Sequence, residues 1–344
     1  MKIKKYIVNA IVLIVLIVGT FYFELRDQEL DELFTYIKGA NKIWLLIGLG
    51  MVLVFISFES VIIHYLMKSL SYAVGFLHCL KYSFIGFFVS AVTPSATGGQ
   101  PAQLYFMKSD GISVAVSSLV LMVVTVAYKA VLLFLAAIMF IFEYSFVMQH
   151  ISNIVFIMIF GVVVNIIVIG LILILIFKPI FAKKFIGKTI MFLGKHKIIK
   201  NHDKVLKKTL ISVSKYEAGA DYLKTHKLVF FNVFIITIFQ RVALLATTYV
   251  VYKSFGLEGC SAFEIITLQL IISLAVDNLP LPGGMGASEG IFMVFFEEIF
   301  TAQFITAGLL LSRGLSYYAV IIMGGIVTAV AWITKKKRIK RLEQ

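Results

Sequence analysis

Val92–Gln103 reads VTPSATGGQPAQ and interrupts apolar sequence on both sides, Ser83–Ala91 before it and the stretch from Ile112 after it. Its two prolines each lack a backbone donor and its adjacent glycines are poor helix formers, so no unbroken helix runs through it. A second break of the same kind, LPLPGGMGASEG, occupies Leu279–Gly290. The sequence around the two breaks decides the fold.

The chain has 344 residues and is 60% hydrophobic, with several apolar runs as long as one helical crossing requires. It reads as an all-α polytopic membrane protein forming a single membrane domain over 1–344. Six segments are long enough to cross: about 6–24, 42–66, 112–142, 151–177, 228–254 and 303–333. The first begins like a signal peptide, but Phe21, Tyr22 and Phe23 stand where a small-residue cleavage site belongs, so it is expected to be retained. Two further apolar stretches, 80–108 and 262–300, are split by the breaks into halves too short to span comfortably, which predicts re-entrant hairpins.

The net charge of +14 lies between and after the apolar runs rather than on a soluble domain, so a membrane surface, not nucleic acid, is the expected partner. Residues 178–227 hold thirteen lysines against three acids, whereas the loop from Glu24 to Lys42 holds five acids against three bases. The positive-inside bias therefore predicts a multi-pass protein with both termini cytoplasmic, the 178–227 segment cytoplasmic, and Glu143, Glu258, Glu297 and Glu298 outside. From Asp203 to Lys224 an apolar helical face (Val205, Leu206, Thr209, Leu210, Val213, Tyr216, Ala220) predicts a helix lying on anionic lipid.

Placed this way, the chain contains an inverted repeat. A first half (6–142, with its hairpin at 80–108) and a second half (228–333, with its hairpin at 262–300) flank a linking helix (151–177) and the basic segment. Helix 42–66, a hairpin centred on Gly98 and Gly99, and helix 112–142 match helix 228–254, a hairpin centred on Gly283 and Gly284, and helix 303–333. Lys129 follows Gly98 by 31 residues and Arg313 follows Gly283 by 30, which supports that register. Inverted repeats with paired broken helices place a transport site near the midplane.

Non-helical backbone at membrane depth is tolerated only where protein or a wet cavity satisfies it. The half-helix opened by Pro101 and the one opened by Ala287 would each point a positive dipole end into such a cavity, an anion site. Gly283, Gly284 and Gly286 permit close backbone approach, and Ser95, Thr97, Gln100, Gln103 and Ser288 add donors suited to a phosphodiester. Charges within the spans are costly unless paired or wet. Lys129, Arg241 and Arg313 are expected to receive a lipid phosphate, and Glu59, Asp277 and Glu289 to serve as counter-ions or coupling groups. Structural ion pairs such as Asp277 with Arg313 are the competing reading of these charges.

No enzyme signature is present: GxSxG, HExxH and Walker A are missing, and Cys79 and Cys260 have no metal spacing. No catalytic residue, metal or cofactor is assigned.

Over about residues 5–335 the chain resembles the membrane-embedded, flippase-like domain of the lysylphosphatidylglycerol synthase (multiple peptide resistance factor) family. The motifs carrying the resemblance are TPSATGGQPAQ and LPLPGGMGASEG within this hydropathy layout. The matching residues are Pro94, Ser95, Thr97, Gly98, Gly99, Gln100, Pro101 and Gln103, and Pro282, Gly283, Gly284, Gly286 and Glu289. The resemblance implies a cell-membrane flippase moving an anionic or aminoacylated phospholipid between leaflets, without the family's cytosolic synthase domain. The family name keeps phosphatidylglycerol lysyltransferase activity, or a subunit role beside it, as the alternative, and an ion-coupled solute carrier is the second. A homodimer and a separate synthase remain open as partners.

Overall fold

The computed structural model describes residues 30–151, 154–178 and 202–342. The expected first helix, 6–24, and residues 179–201 of the basic segment lie outside them. The described residues form an all-α protein. Its helices are α1 (Leu30–Gly39), α2 (Lys42–Ser69), α3 (Phe76–Ala91), α4 (Gly99–Ser109), α5 (Val114–Phe142), α6 (Tyr144–Ile151), α7 (Val155–Phe177), α8 (His202–Thr225), α9 (Lys227–Leu245), α10 (Thr247–Ser254), α11 (Ala262–Val276), α12 (Ala287–Arg313) and α13 (Ala319–Leu342). A π-helical turn, Gly314–Tyr318, joins the last two.

Five helical stretches among the described residues are long and apolar enough to cross a membrane: Lys42–Ser69, Val114–Phe142, Val155–Phe177, Lys227–Ser254 and Ala287–Lys335. The protein is a polytopic membrane protein, and its helices are apolar on both faces for that reason. In α2, Val52, Phe55, Ile56, Ile62, Ile63 and Leu66 recur at helical spacing and are buried, while Ile43, Leu46, Ile47, Leu53 and Val54 on the other faces are exposed.

The last stretch is not one crossing. Its 49 residues would measure about 74 Å as a straight helix, more than twice the roughly 30 Å hydrocarbon layer. Thr301 breaks it, with φ 59° and ψ 158°, so 287–300 is a separate arm before the longer segment. The expected single helix 303–333 is interrupted again by the π-helical turn, and 228–254 is divided at Ala246 between α9 and α10.

Two hairpins result: α3 with α4, and α11 with the 287–300 arm. Helix α2 packs against α9. Helix α13 packs on α3, and α5 and α7 pack on α11, so each hairpin is covered partly by helices from outside its own triplet. Close approach depends on glycine. A Cβ on Gly324 would lie 2.8 Å from Phe84 O, and one on Gly161 would lie 1.9 Å from Leu274 O. Lipid offers no hydrophobic drive between helices, so such backbone-close seams supply the packing that holds them.

Helix α8 covers the span expected for the surface helix. Tyr216, Ala220 and Leu223 on it are buried, and the Tyr216 hydroxyl donates to Leu175 O at 2.8 Å. Its C-terminal half is therefore docked on α5 and α7.

Candidate functional site

The two breaks meet. Pro94 and Pro282 pair antiparallel through their backbones, joining the hairpin tips. Each tip is the same turn. Ala96 N–H donates to Thr93 O and Thr97 N–H to Pro94 O, both at 3.2 Å, and Gly284 N–H donates to Leu281 O and Met285 N–H to Pro282 O, also at 3.2 Å. After each proline come two left-handed residues, Ser95 (φ 49°) and Ala96 (φ 53°) in one tip and Gly283 (φ 59°) and Gly284 (φ 68°) in the other.

This corrects the register expected from sequence. Pro94 corresponds to Pro282, so Gly98 corresponds to Gly286 and Gly99 to Ala287, the first residues of α4 and α12 respectively being Gly99 and Ala287. The two glycine pairs do different work. Gly283 and Gly284 supply left-handed backbone, which Ser95 and Ala96 adopt at about 1–2 kcal/mol each. Gly99 instead lets the arms of its hairpin touch: a Cβ there would lie 2.0 Å from Ser90 Oγ and 2.6 Å from Gly86 O. The matched spacing of Lys129 and Arg313 loses its support with the glycine register.

Backbone carbonyls at the tips are satisfied by side chains, two of them across the hairpin junction and one, from Arg313, within the second half. Ser95 Oγ donates to Leu279 O at 3.1 Å, the Tyr317 hydroxyl to Ala91 O at 2.9 Å, and Arg313 to Gly283 O at 3.0 Å. Thr97 Oγ1 caps its own turn at Pro94 O, 2.9 Å away.

Charges gather in two groups. In the first, Lys129 Nζ donates to Asn165 Oδ1 at 2.7 Å and to Asn278 Oδ1 at 3.1 Å. Arg241, 1% exposed, lies with its guanidinium 3.7 Å from the centre of the Tyr128 ring and one terminal nitrogen 3.5 Å from the Asp277 carboxylate. Nε and that terminal nitrogen of Arg241 make no hydrogen bond among the described residues. In the second, Arg313 Nε is 2.6 Å from Glu289 and its guanidinium lies over Tyr317 at 4.5 Å. Glu289 also accepts the Gly286 N–H at 2.8 Å and lies 2.9 Å from Ser288 Oγ, so a carboxylate of the chain already caps the second half-helix. The partners differ from the pair considered at first: Asp277 pairs with Arg241 and Arg313 with Glu289.

Lys129 and Arg241 thus converge on the adjacent residues Asp277 and Asn278, whereas Arg313 is held at the second tip. Glu59 and Gln103 are both buried, and the Gln103 amide donates to Glu59 at 2.8 Å, tying α4 to α2. Gln100 donates to Thr125 Oγ1 and, at 3.4 Å, to Leu121 O on α5. Ser288 Oγ also lies 3.0 Å from Gly284 O.

Four contributors escaped the sequence reading. Asn165 had a signal, as the lone amide in the most apolar helix. Asn278 and Tyr128 adjoin residues already singled out, and Tyr317 gave no sign. No group of His, Cys, Asp and Glu among the described residues is arranged to hold a metal ion.

Residues 7–324 match the family model described as the lysylphosphatidylglycerol synthase TM region. The chain is also similar to a UPF0104 membrane protein of Archaeoglobus fulgidus, 24% identical over 111 residues, which is 32% of this chain and 33% of that protein. The match therefore spans about a third of the curated relative's length.

Proposed function

The chain belongs to the lysylphosphatidylglycerol synthase TM region family, and from that premise we propose that it translocates an anionic or aminoacylated phospholipid between the leaflets of the cell membrane. Both hairpins are re-entrant in this reading. Helices α3, α4 and α11 have 16, 11 and 15 residues. These correspond to about 24, 17 and 23 Å, each short of a roughly 30 Å hydrocarbon layer. The halves 6–142 and 228–333 form an inverted repeat around the touching tips, with both termini cytoplasmic and the 178–227 segment on the anionic membrane surface.

The observation that carries the reading is Arg241. A guanidinium 1% exposed, whose Nε makes no hydrogen bond among the described residues and whose paired carboxylate, Asp277, stands 3.5 Å away, is weakly compensated for its burial. The two non-bridging oxygens of a phosphodiester match the Arg241 fork, and one of them can also accept from Lys129. Asp277 is the resting counter-ion of this pair. Glu289 plays that part for Arg313 at the tip, and the hydroxyl, amide and glycine groups of the two breaks line the passage.

Transport of an acyl-labelled phosphatidylglycerol in proteoliposomes, followed by chemical quenching of the outer leaflet, tests the assignment. Lys129→Gln and Arg241→Gln each remove charge-assisted bonds worth about 2 kcal/mol, a roughly thirtyfold fall in rate. Wild-type rates in both variants would remove the phosphate site from these residues.

A further inference from the structure

The way Lys129 is held is unusual for a cation within an apolar bundle. Its two hydrogen-bond acceptors are neutral amide oxygens, Asn165 Oδ1 at 2.7 Å and Asn278 Oδ1 at 3.1 Å. The one carboxylate beside them, Asp277, pairs with Arg241. Both amides are themselves fixed. Asn165 Nδ2 donates to Gly161 O at 2.9 Å, and Asn278 Nδ2 reaches the same carbonyl at 3.5 Å.

Gly161 is where α7 comes closest to the second hairpin, since a Cβ there would sit 1.9 Å from Leu274 O. A glycine contact, a shared carbonyl and two oriented amides thus converge on one ammonium from two elements, α7 and the segment just after α11. Asn165 is fully buried in the most apolar helix, and its amide oxygen accepts from Lys129.

We propose that Asn165 and Asn278 are positioning residues that orient Lys129 toward the lipid phosphate while leaving its charge uncompensated. The inference rests on the phosphate site proposed above. A carboxylate in either place would hold the ammonium equally well or better, but would cancel the charge the ligand needs. Amides satisfy two of the three ammonium protons and leave the third for an anion. Two cations then share one carboxylate, and a single positive charge remains for a single phosphodiester.

Asn165→Asp separates this role from a merely structural one, because it keeps the shape and the acceptor and adds only charge. The readout is the melting temperature of detergent-purified full chain, titrated with phosphatidylglycerol and, separately, with phosphatidic acid. Without lipid, Asn165→Asp is expected to melt at or above the wild-type temperature, since an ammonium–carboxylate pair replaces an ammonium–amide bond. With phosphatidylglycerol, its half-saturating concentration should rise on the order of tenfold, the difference between a charge-assisted and an ordinary hydrogen bond. Asn278→Asp should behave the same way from the other side of the ammonium, and is the second measurement should the first variant fold poorly.

Unchanged lipid response in both Asp variants, with Lys129→Gln impaired, would overturn the amide role and leave the phosphate site standing. An unimpaired Lys129→Gln, or a wild-type protein that neither lipid stabilises, would overturn the phosphate site itself. A stronger response to phosphatidic acid than to phosphatidylglycerol in the wild type would overturn the single-charge match, since a phosphomonoester brings the larger charge.

Discussion

Three glycines in different settings separate the two costs of adding a methyl group. Gly283 has φ +59° and a Cβ there would lie 2.1 Å from the Tyr317 ring, whose hydroxyl is anchored on Ala91 O, so neither backbone nor neighbour can yield. Gly283→Ala should destabilise by about 3 kcal/mol, the sum of a left-handed penalty and overpacking. Gly286 shares the positive φ, +82°, but meets nothing within 4 Å; its alanine variant should cost about 2 kcal/mol, backbone strain without overpacking. Gly50, within α2 and also free of neighbours within 4 Å, should be neutral to about 1 kcal/mol stabilising when changed to alanine. Melting temperatures in one detergent would rank the three, and a Gly286→Ala as damaging as Gly283→Ala would deny Tyr317 its part. The same residues mark what was legible in the sequence. Glycine and proline announced two breaks correctly, because their effect is local. Which glycine answers which was not legible, because a glycine chosen for backbone conformation and one chosen for helix contact look alike in a string. The partners of Asp277 and Arg313 were hidden for a related reason, since charge type is written in the sequence and proximity is not.

At the scale of elements, hydropathy located four of the long helices to within a few residues, and the apolar content did not reveal how the longest stretch is divided. Thr301 and the π-helical turn Gly314–Tyr318 carry no proline to announce their backbone departures. The outer end of the first hairpin has a clasp that sequence also left unmarked. Asp110, at the C-terminus of α4, accepts from Lys81 Nζ at 2.6 Å and from the Tyr82 hydroxyl at 2.7 Å, both on α3. Partial burial pushes its carboxyl upward, but these hydrogen bonds and the Lys81 charge outweigh it and hold the group below the ordinary Asp value of 3.8. A carboxyl held low in the folded state stabilises above its unfolded value and loses that contribution as pH falls through the folded one. Asp110→Asn keeps an acceptor for Tyr82 and deletes only the charge. It should cost about 1 kcal/mol at neutral pH, given the partial exposure of both ends. The difference from wild type should shrink on acidification. Melting curves from pH 7 downward would show the gap begin to narrow below about pH 4, and a gap that does not narrow at all on acidification would mean that the clasp acts through packing instead of charge.

For the whole molecule, the contact between the hairpins has the form expected of an axis relating two halves: Pro94 faces Pro282, and the turn on each side makes the same two hydrogen bonds. A self-matching contact of this kind is what a two-fold relation produces. Bonds from Ser95 and Tyr317 across the contact reinforce it, and with the Arg313 bond inside the second tip they give the carbonyls Leu279 O, Ala91 O and Gly283 O a donor from the chain. If the chain moves lipid as proposed, closed tips cannot pass a head group, and transport past Lys129 and Arg241 would require the two hairpins to part, as the halves of inverted-repeat transporters do. Covalent closure of the tips therefore should stop transport. Ser95→Cys with Leu279→Cys, on a background in which Cys79 and Cys260 are replaced, puts one thiol on each tip beside the contact in which Ser95 Oγ lies 3.1 Å from Leu279 O. Oxidation of the double variant in proteoliposomes should reduce flipping of labelled phosphatidylglycerol to that of protein-free vesicles, and reductant should restore it. Neither single variant should respond to oxidant, which separates closure from the loss of the Ser95 hydroxyl. Full transport by the oxidised double variant would show that lipid moves without parting the tips, and would place the path along the outer faces of the hairpins instead of between them.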